Sequence, residues 1–435
     1  MPNDNPRQIR TFFTALASML KIPAKDFMQA VDAVRSIWGK AKSEKIRDQE
    51  NLIRREGVHR RLIRDFYNST NHNSHFRQYT IMVSNQRYSS TIFTTPQRVR
   101  LSIPLKSLET KYISSASEPK YNKRLTKIIK KRAANVRKKF ELLGVQPWDQ
   151  DIFRLVSDPF WGESPRLSFS VDRYLNYQFT VGLLDHELFD CLISNKNDIP
   201  AILRARAVNL PIRNELLPTK ISFKDVSERL STGGVACTVA MARGAPDNDY
   251  CIPLQERSES VAEGRGVFTG SIQAWHQPNV RDYKNEVNLY WTVLRELFEE
   301  VYQGKEIIKE TSHLRHDWYL KECPGVAYIH EQPENVTFEF LGIGINALLG
   351  TYDCAILLAI HDTSYWDAYS HLIRPNWEAK RGFFLSTKDV MPSLNNIFNS
   401  GWYDQGMFGL SQGLLRLREL DEKRVKDLDI GFALD

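Results

Sequence analysis

Cysteine is scarce. The 435 residues hold five, Cys191, Cys237, Cys251, Cys323 and Cys354, and no two are spaced as CxxC. That spacing excludes a disulfide framework and a zinc finger and fits a reducing cytoplasm. There is also no P-loop, no GxSxG elbow and no Rossmann fingerprint; TGGVA at 232–236 leads into a strand pattern, not a helix. No RNP motif is present, and ALASMLKIPAKDFMQAV carries Pro23 where a helix-turn-helix favours glycine. MPNDNPRQIRTFF lacks the apolar core and small-residue cleavage site of a signal peptide, so none is expected. The one long apolar stretch, 340–360, is interrupted by Asn346, Asp353 and a GTYD turn signal. It reads as two buried strands, so no membrane association is expected.

Charge is unevenly distributed. The net charge is +7, yet residues 1–140 hold 30 Lys and Arg against 10 Asp and Glu, while the remainder holds 29 against 42. A basic first third is drawn to a polyanion, either nucleic acid or an acidic protein, or to the acidic remainder of its own chain. The basic residues concentrate in KYNKRLTKIIKKRAANVRKKFELLG. There Leu125, Ile128, Ile129, Val136, Phe140 and Leu143 share one helical face, and Gly144 is a natural stop. Lys123, Arg124, Lys127, Lys130, Lys131, Arg137 and Lys138, with Lys139, cover much of the rest. They are the candidate nucleic-acid contacts; the plainer reading is a solvated helix surface.

Periodicity divides the chain into three parts. Residues 1–144 read as a basic region: helix from Pro23 to about Tyr67, interrupted at Gly39 and Gly57, then two or three strands between 76 and 105 forming a small sheet, then the basic helix. Residues 145–220 are an aromatic-rich connecting segment expected to pack on the C-terminal part. Residues 221–435 alternate strands (GGVACTVAMA, YCIPLQERS, FTGSIQAW), a helix, further strands and a helix, an α+β arrangement. Pro253 marks a bulge or edge in the second strand.

That helix carries TVLRELFEEVY. Val287, Tyr290, Trp291, Leu294, Phe298 and Val301 define its buried face, and Glu296, Glu299 and Glu300 fall together away from most of it. Three crowded carboxylates repel one another. A hard divalent cation, Mg²⁺ or Mn²⁺, relieves that repulsion; a wet helix face needs no such explanation.

Arg295-Glu296-Leu297-Phe298-Glu299-Glu300 resembles the core of the Nudix motif, Gly-x5-Glu-x7-Arg-Glu-hydrophobic-x-Glu-Glu-x-Gly. The hairpin ending in LQERS and the GSIQAWHQPN segment stand where that family has its first hairpin and its Trp-x-x-Pro-Gly-Gly segment. Asn279 and Val280 replace the paired glycines, eight residues rather than seven separate Glu286 from Arg295, and Tyr302 replaces the final glycine, with Gly304 two later. The segments at 340–362 and 376–385 look like the tail of Nudix-like domains of large bacterial proteins of poorly defined activity.

The resemblance implies an α/β/α sandwich with a mixed sheet. It implies Glu296, Glu299, Glu300 and Glu286 as ligands of Mg²⁺ or Mn²⁺, with Glu299, Glu300 and Arg295 in the catalytic machinery. The implied activity is metal-dependent hydrolysis of a nucleoside diphosphate derivative or related nucleotide. The alternative is a catalytically degenerate ligand-sensing or scaffolding domain joined to a basic nucleic-acid- or protein-binding region, because phosphate approach needs glycine where Val280 stands. Lesser candidates are His313, His316 and Asp317 in SHLRHDW, His72 and His75, the pair His361 and Asp362, and Glu378; ordinary surface or structural roles are expected for the histidines.

Overall fold

The computed structural model describes residue 41 and residues 44–54, 56–68, 74–143, 149–194, 210–258, 266–305, 314–376 and 379–435. The helix expected before residue 41, Gly39, Gly144, His72, His313 and Glu378 lie outside the described residues.

The α+β arrangement is present, centred on an 11-stranded mixed sheet. Its longer strands are β1 (Arg77–Val83), β2 (Gln86–Thr94), β7 (Gly233–Ala242), β8 (Tyr250–Arg257), β11 (Val336–Asn346), β12 (Thr351–Ile360), β13 (Ala379–Ser386) and β14 (Ile430–Leu434). They are ordered β13-β8-β7-β12-β11-β2-β1-β14. The short strands β3 (Ile103–Pro104), β9 (Phe268–Thr269) and β10 (Ile272–Trp275) join β11, β8 and β7. β7 and β12 are parallel, Cys354 opposite Val235, and their other pairings are antiparallel, as is that of β13 with β8. The apolar 340–360 stretch is indeed two paired strands. Among the described residues no helix is long and apolar enough to cross a membrane.

Alternation along the central strands builds two cores. Val235, Cys237, Val239, Ile356 and Leu358 point to one face, against Val293, Leu294, Leu297 and Phe298 of the glutamate-bearing helix. Ala240, Ala242, Ala355, Leu357 and Ala359 point to the other, against Met407, Phe408, Leu410, Leu414 and Leu417. Small residues on that second face let the last helix lie close. A Cβ on Gly409 would collide with the Ala236 carbonyl, and one on Gly413 would collide with the Thr238 side chain.

The small separate sheet expected for the first region is not formed by 77–94. β2 pairs with β11 and β1 pairs with the C-terminal β14, so this hairpin extends the central sheet. The reason is burial: β1 and β2 are covered along most of their length, and Tyr79, Ile81, Val83 and Ile92 belong to the core under the last helix. A second, three-stranded sheet does exist. Its strands are β4 (Glu109–Tyr112), β5 (Asp151–Leu155) and β6 (Arg166–Arg173), with β6 in the middle. Pro253 lies where β8 leaves β7, which it pairs only at Cys251 and Tyr250, so the missing N–H breaks no ladder to that neighbour.

Five helices position the charged clusters: α1 (Val58–Asn68), α2 (Lys123–Leu143), α3 (Leu183–Ser194), α4 (Leu289–Glu296) and α5 (Asp404–Leu420). A helical segment over 44–54 precedes α1, and the break between them falls at Gly57. Arg213 is fully buried near these elements and donates to the carbonyls of Ala347, Leu348 and Leu184, fastening the β11–β12 turn to α3.

Candidate functional site: a buried carboxylate helix and an exposed basic face

The glutamates do not form a wet helix face. Glu296, Glu299 and Glu300 are 7, 8 and 7% exposed, and Arg295 is 5% exposed. α4 starts at Asn288, whose Oδ1 accepts from Tyr290 N at 2.9 Å. After Glu296 it widens into a π turn, Leu297–Val301, which carries Glu299 and Glu300. A π turn shifts the following side chains relative to a regular helix, and spacing in the sequence does not reveal one. Gly304 closes this turn: its N–H donates to Phe298 O at 2.7 Å, and a Cβ there would overlap the Phe298 ring.

Arg295 organises the cluster. Its Nη2 donates to Glu296 Oε1, its Nε lies 3.9 Å from Glu299 Oε1, and its Nη1 donates to the Gln277 carbonyl at 2.9 Å. Burial pulls against the charged guanidinium, but Glu296 and then Glu299 more than compensate, and its pKa is raised above the ordinary value. Glu300 turns elsewhere: its Oε2 accepts from Gln273 N and Gln255 Nε2, each at 3.3 Å. Glu286 is separated from α4 by Val287 and Asn288. Its Oε1 accepts from Asn279 N at 2.5 Å and Val280 N at 3.0 Å, fixing the loop where the paired glycines were expected. The left-handed residue of that loop is Arg281, φ 62°, and Val280 is buried.

Carboxylate oxygens are the right donor type for Mg²⁺ or Mn²⁺; here Glu296 is bonded to Arg295, Glu300 to the β8 and β10 groups and Glu286 Oε1 to the loop amides, while Glu286 Oε2 is buried without a hydrogen bond among the described residues. Among the described residues no group of three or more His, Cys, Asp or Glu side chains is arranged to hold a metal ion.

His276 supports the same region. It is fully buried, with Nδ1 2.8 Å from Thr292 Oγ1 and its ring stacked 4.5 Å from Phe153. Burial, then the Arg295 charge, lowers its pKa to about 3. A histidine depressed in the folded state adds stability above its unfolded pKa of about 6.5, and that stability is lost as pH falls from 6.5 toward 3. The expected slope from this group is about 1.4 kcal/mol per pH unit within that window. Urea denaturation of His276→Gln across pH 4–7 should show a flatter acid limb than wild type.

The other histidine candidates have structural partners. His316 Nδ1 lies 3.0 Å from Asp282 Oδ2. His361 bridges Tyr250 OH and Thr337 Oγ1 at 2.6 and 2.8 Å, while Asp362 accepts from Ser364 N to begin a short helix. His75 is exposed. Sequence reading gave no role to Gln255, Gln273 and His276 within the LQERS and GSIQAWHQPN segments; they reach the cluster through the pairing of β7 with β10 and β8 with β9.

The basic helix presents the opposite picture. Leu125, Ile129, Ala133 and Val136 are buried on one side of α2. Lys123, Arg124, Lys127, Lys130, Lys131, Arg137 and Lys138 are all exposed. At about 100° per residue these seven occupy an arc of roughly 140° opposite the buried stripe, along a helix about 31 Å long. The ion pairs α2 makes among the described residues use its flanks, Arg132 with Asp190 at 2.7 Å and Lys139 with Glu50 at 2.6 Å. Arg137 also covers the Phe179 ring at 4.3 Å. Among the described residues the acidic remainder of the chain therefore does not neutralise this face. No known family matches the chain, and no curated protein is similar to it.

Proposed function

We propose that this chain is a nucleic-acid-binding protein built on a catalytically degenerate Nudix-like domain. The observation that carries the reading is the contrast between its two charged clusters. The seven cations of α2 stand exposed on one face without carboxylate partners among the described residues, whereas the carboxylates of α4 are buried, with Glu296 bonded to Arg295 and Glu300 to Gln255 and Gln273. Exposed lysine and arginine on a rigid helix contact phosphates without reading sequence. The carboxylate helix acts here as a scaffold: it fixes the loop at 277–280 and ties β8 and β10 to the core.

The second reading, a metal-dependent nucleotide hydrolase, is favoured by one detail. Arg295, Glu296, Glu299 and Glu300 are gathered on one helix next to a loop held by Glu286, as the family resemblance implies. The two readings separate in one assay: phosphate release from nucleoside diphosphate derivatives with Mg²⁺ or Mn²⁺, wild type beside Glu299→Gln/Glu300→Gln. The scaffold reading expects no metal-dependent turnover from either protein and equal nucleic-acid affinity. Turnover by wild type that vanishes in the variant would replace it with the hydrolase.

A further inference from the structure

We propose that the loop joining β5 to β6 is a docking point for an arginine- or lysine-rich segment of a partner protein, with Trp161 as its anchor. Trp161 is 83% exposed, the most exposed large hydrophobic side chain among the described residues. An indole left in water in this way offers a partner roughly 150–250 Å² of surface to bury.

The backbone beneath it is held. Arg98 follows β2 and is fully buried. Its Nε donates to Pro159 O at 2.6 Å and its Nη2 to Trp161 O and Gly162 O, each at 2.8 Å. Its Nη1 donates to Glu163 O at 3.3 Å and to Gln97 O at 3.0 Å. Every hydrogen bond of this guanidinium among the described residues therefore goes to a carbonyl, and four of the five go to the loop. On one side of Trp161, Asp158 Oδ1 accepts from Phe160 N at 2.8 Å, and the Phe160 ring packs edge-on to Phe76 at 4.7 Å. On the other side, Gly162 takes φ 78°, which a side chain would strain. The residues flanking Trp161 are fixed while its own side chain stands in water. Desolvating a guanidinium is costly, and here it serves to hold one turn. An anchor fixed before its partner arrives loses little freedom on docking, and tryptophan is among the residues that most often dominate an interface.

Charge selects the occupant. Asp158 and Glu163 belong to the loop, and the charges of Lys224, Asp225 and Arg98 act on Asp158. Arg98 is turned inward to the carbonyls, so three carboxylates stand against one ammonium. The next cation along the chain, Arg166, is paired with Glu109 at 3.0 Å. Such a rim repels the phosphates of nucleic acid and of an anionic membrane. It attracts a guanidinium or ammonium, which the face of an indole attracts as well. The occupant is therefore a cationic side chain on an exposed segment, stacked on Trp161 with carboxylates beside it. This surface is opposite in sign to the basic face of α2, so the two take different partners.

The test is fluorescence anisotropy of the full chain with a labelled Arg-Gly-Arg-Gly-Arg peptide and, separately, a labelled oligothymidine. The expected result is saturable peptide binding that weakens at least threefold in Trp161→Ala and less in Trp161→Phe, which keeps a ring. Glu163→Gln should weaken it too. Both side chains are exposed, so thermal melts of these variants should match wild type. Trp161→Ala should leave the oligothymidine affinity, whatever its size, unchanged. No saturable peptide binding by wild type overturns the proposal, as does peptide binding that is unchanged in Trp161→Ala. Weaker oligothymidine binding in Trp161→Ala would make the indole a base-stacking platform and also overturn it. The peptide titration does not depend on whether α2 binds nucleic acid, so failure of that reading leaves this result intact, and the reverse holds as well.

Discussion

Replacing Lys123, Lys127, Lys130 and Lys131 with glutamine is expected to weaken nucleic-acid binding roughly 10²–10³-fold near physiological salt, without unfolding the protein. The size follows from counterion release. Each phosphate contact on duplex DNA contributes about −0.9 to the slope of log K against log salt, about fivefold in affinity at 0.15 M. All four residues are exposed, and α2 is held by Leu125, Ile129, Ala133 and Val136 on its other side, so its packing is left alone. Fluorescence anisotropy with a labelled duplex, together with a thermal melt, measures both halves of this expectation. An unchanged affinity would remove α2 from the interface.

Arg295→Met is expected to produce the largest loss of stability, about 3–5 kcal/mol by urea denaturation, because removing one partner of a buried ionic cluster strands the others. Glu296 and Glu299 both face this guanidinium from buried positions, and the Gln277 carbonyl loses its donor too. The same variant distinguishes the scaffold from a metal centre. In the scaffold reading, millimolar Mg²⁺ restores little of the loss, since Glu300 is held by Gln255 and Gln273 and Glu286 Oε1 by the loop amides. Restoration of most of it would mean that the carboxylates regroup around a cation.

Much of the fold is legible from local pattern. The strands at 233–242, 336–346 and 351–360 follow from apolar runs bounded by glycine and turn residues, and the basic helix from its 3.6-residue stripe. Sheet membership is not legible in the same way. The hairpin 77–94 finds its neighbours at residues 345–346 and 430–434, and pairing at such separations leaves no local signature. The candidate site divides similarly. Crowding of Glu296, Glu299 and Glu300 on one turn is visible in their spacing, but their burial is not, because Gln255 and Gln273 arrive from other strands. The basic face was the reverse case. A single helix carries it, so spacing alone separated these side chains from the apolar stripe of the same helix.

The most direct test is the salt dependence of wild-type binding to a short duplex, measured from 50 to 300 mM NaCl. Seven exposed cations on one face, engaging roughly three to six phosphates, predict a slope of about −3 to −5 in log K against log salt, with little change between sequences. Absence of binding at the lowest salt, or binding indifferent to salt, would contradict the claim that the basic face of α2 is the working surface of this protein.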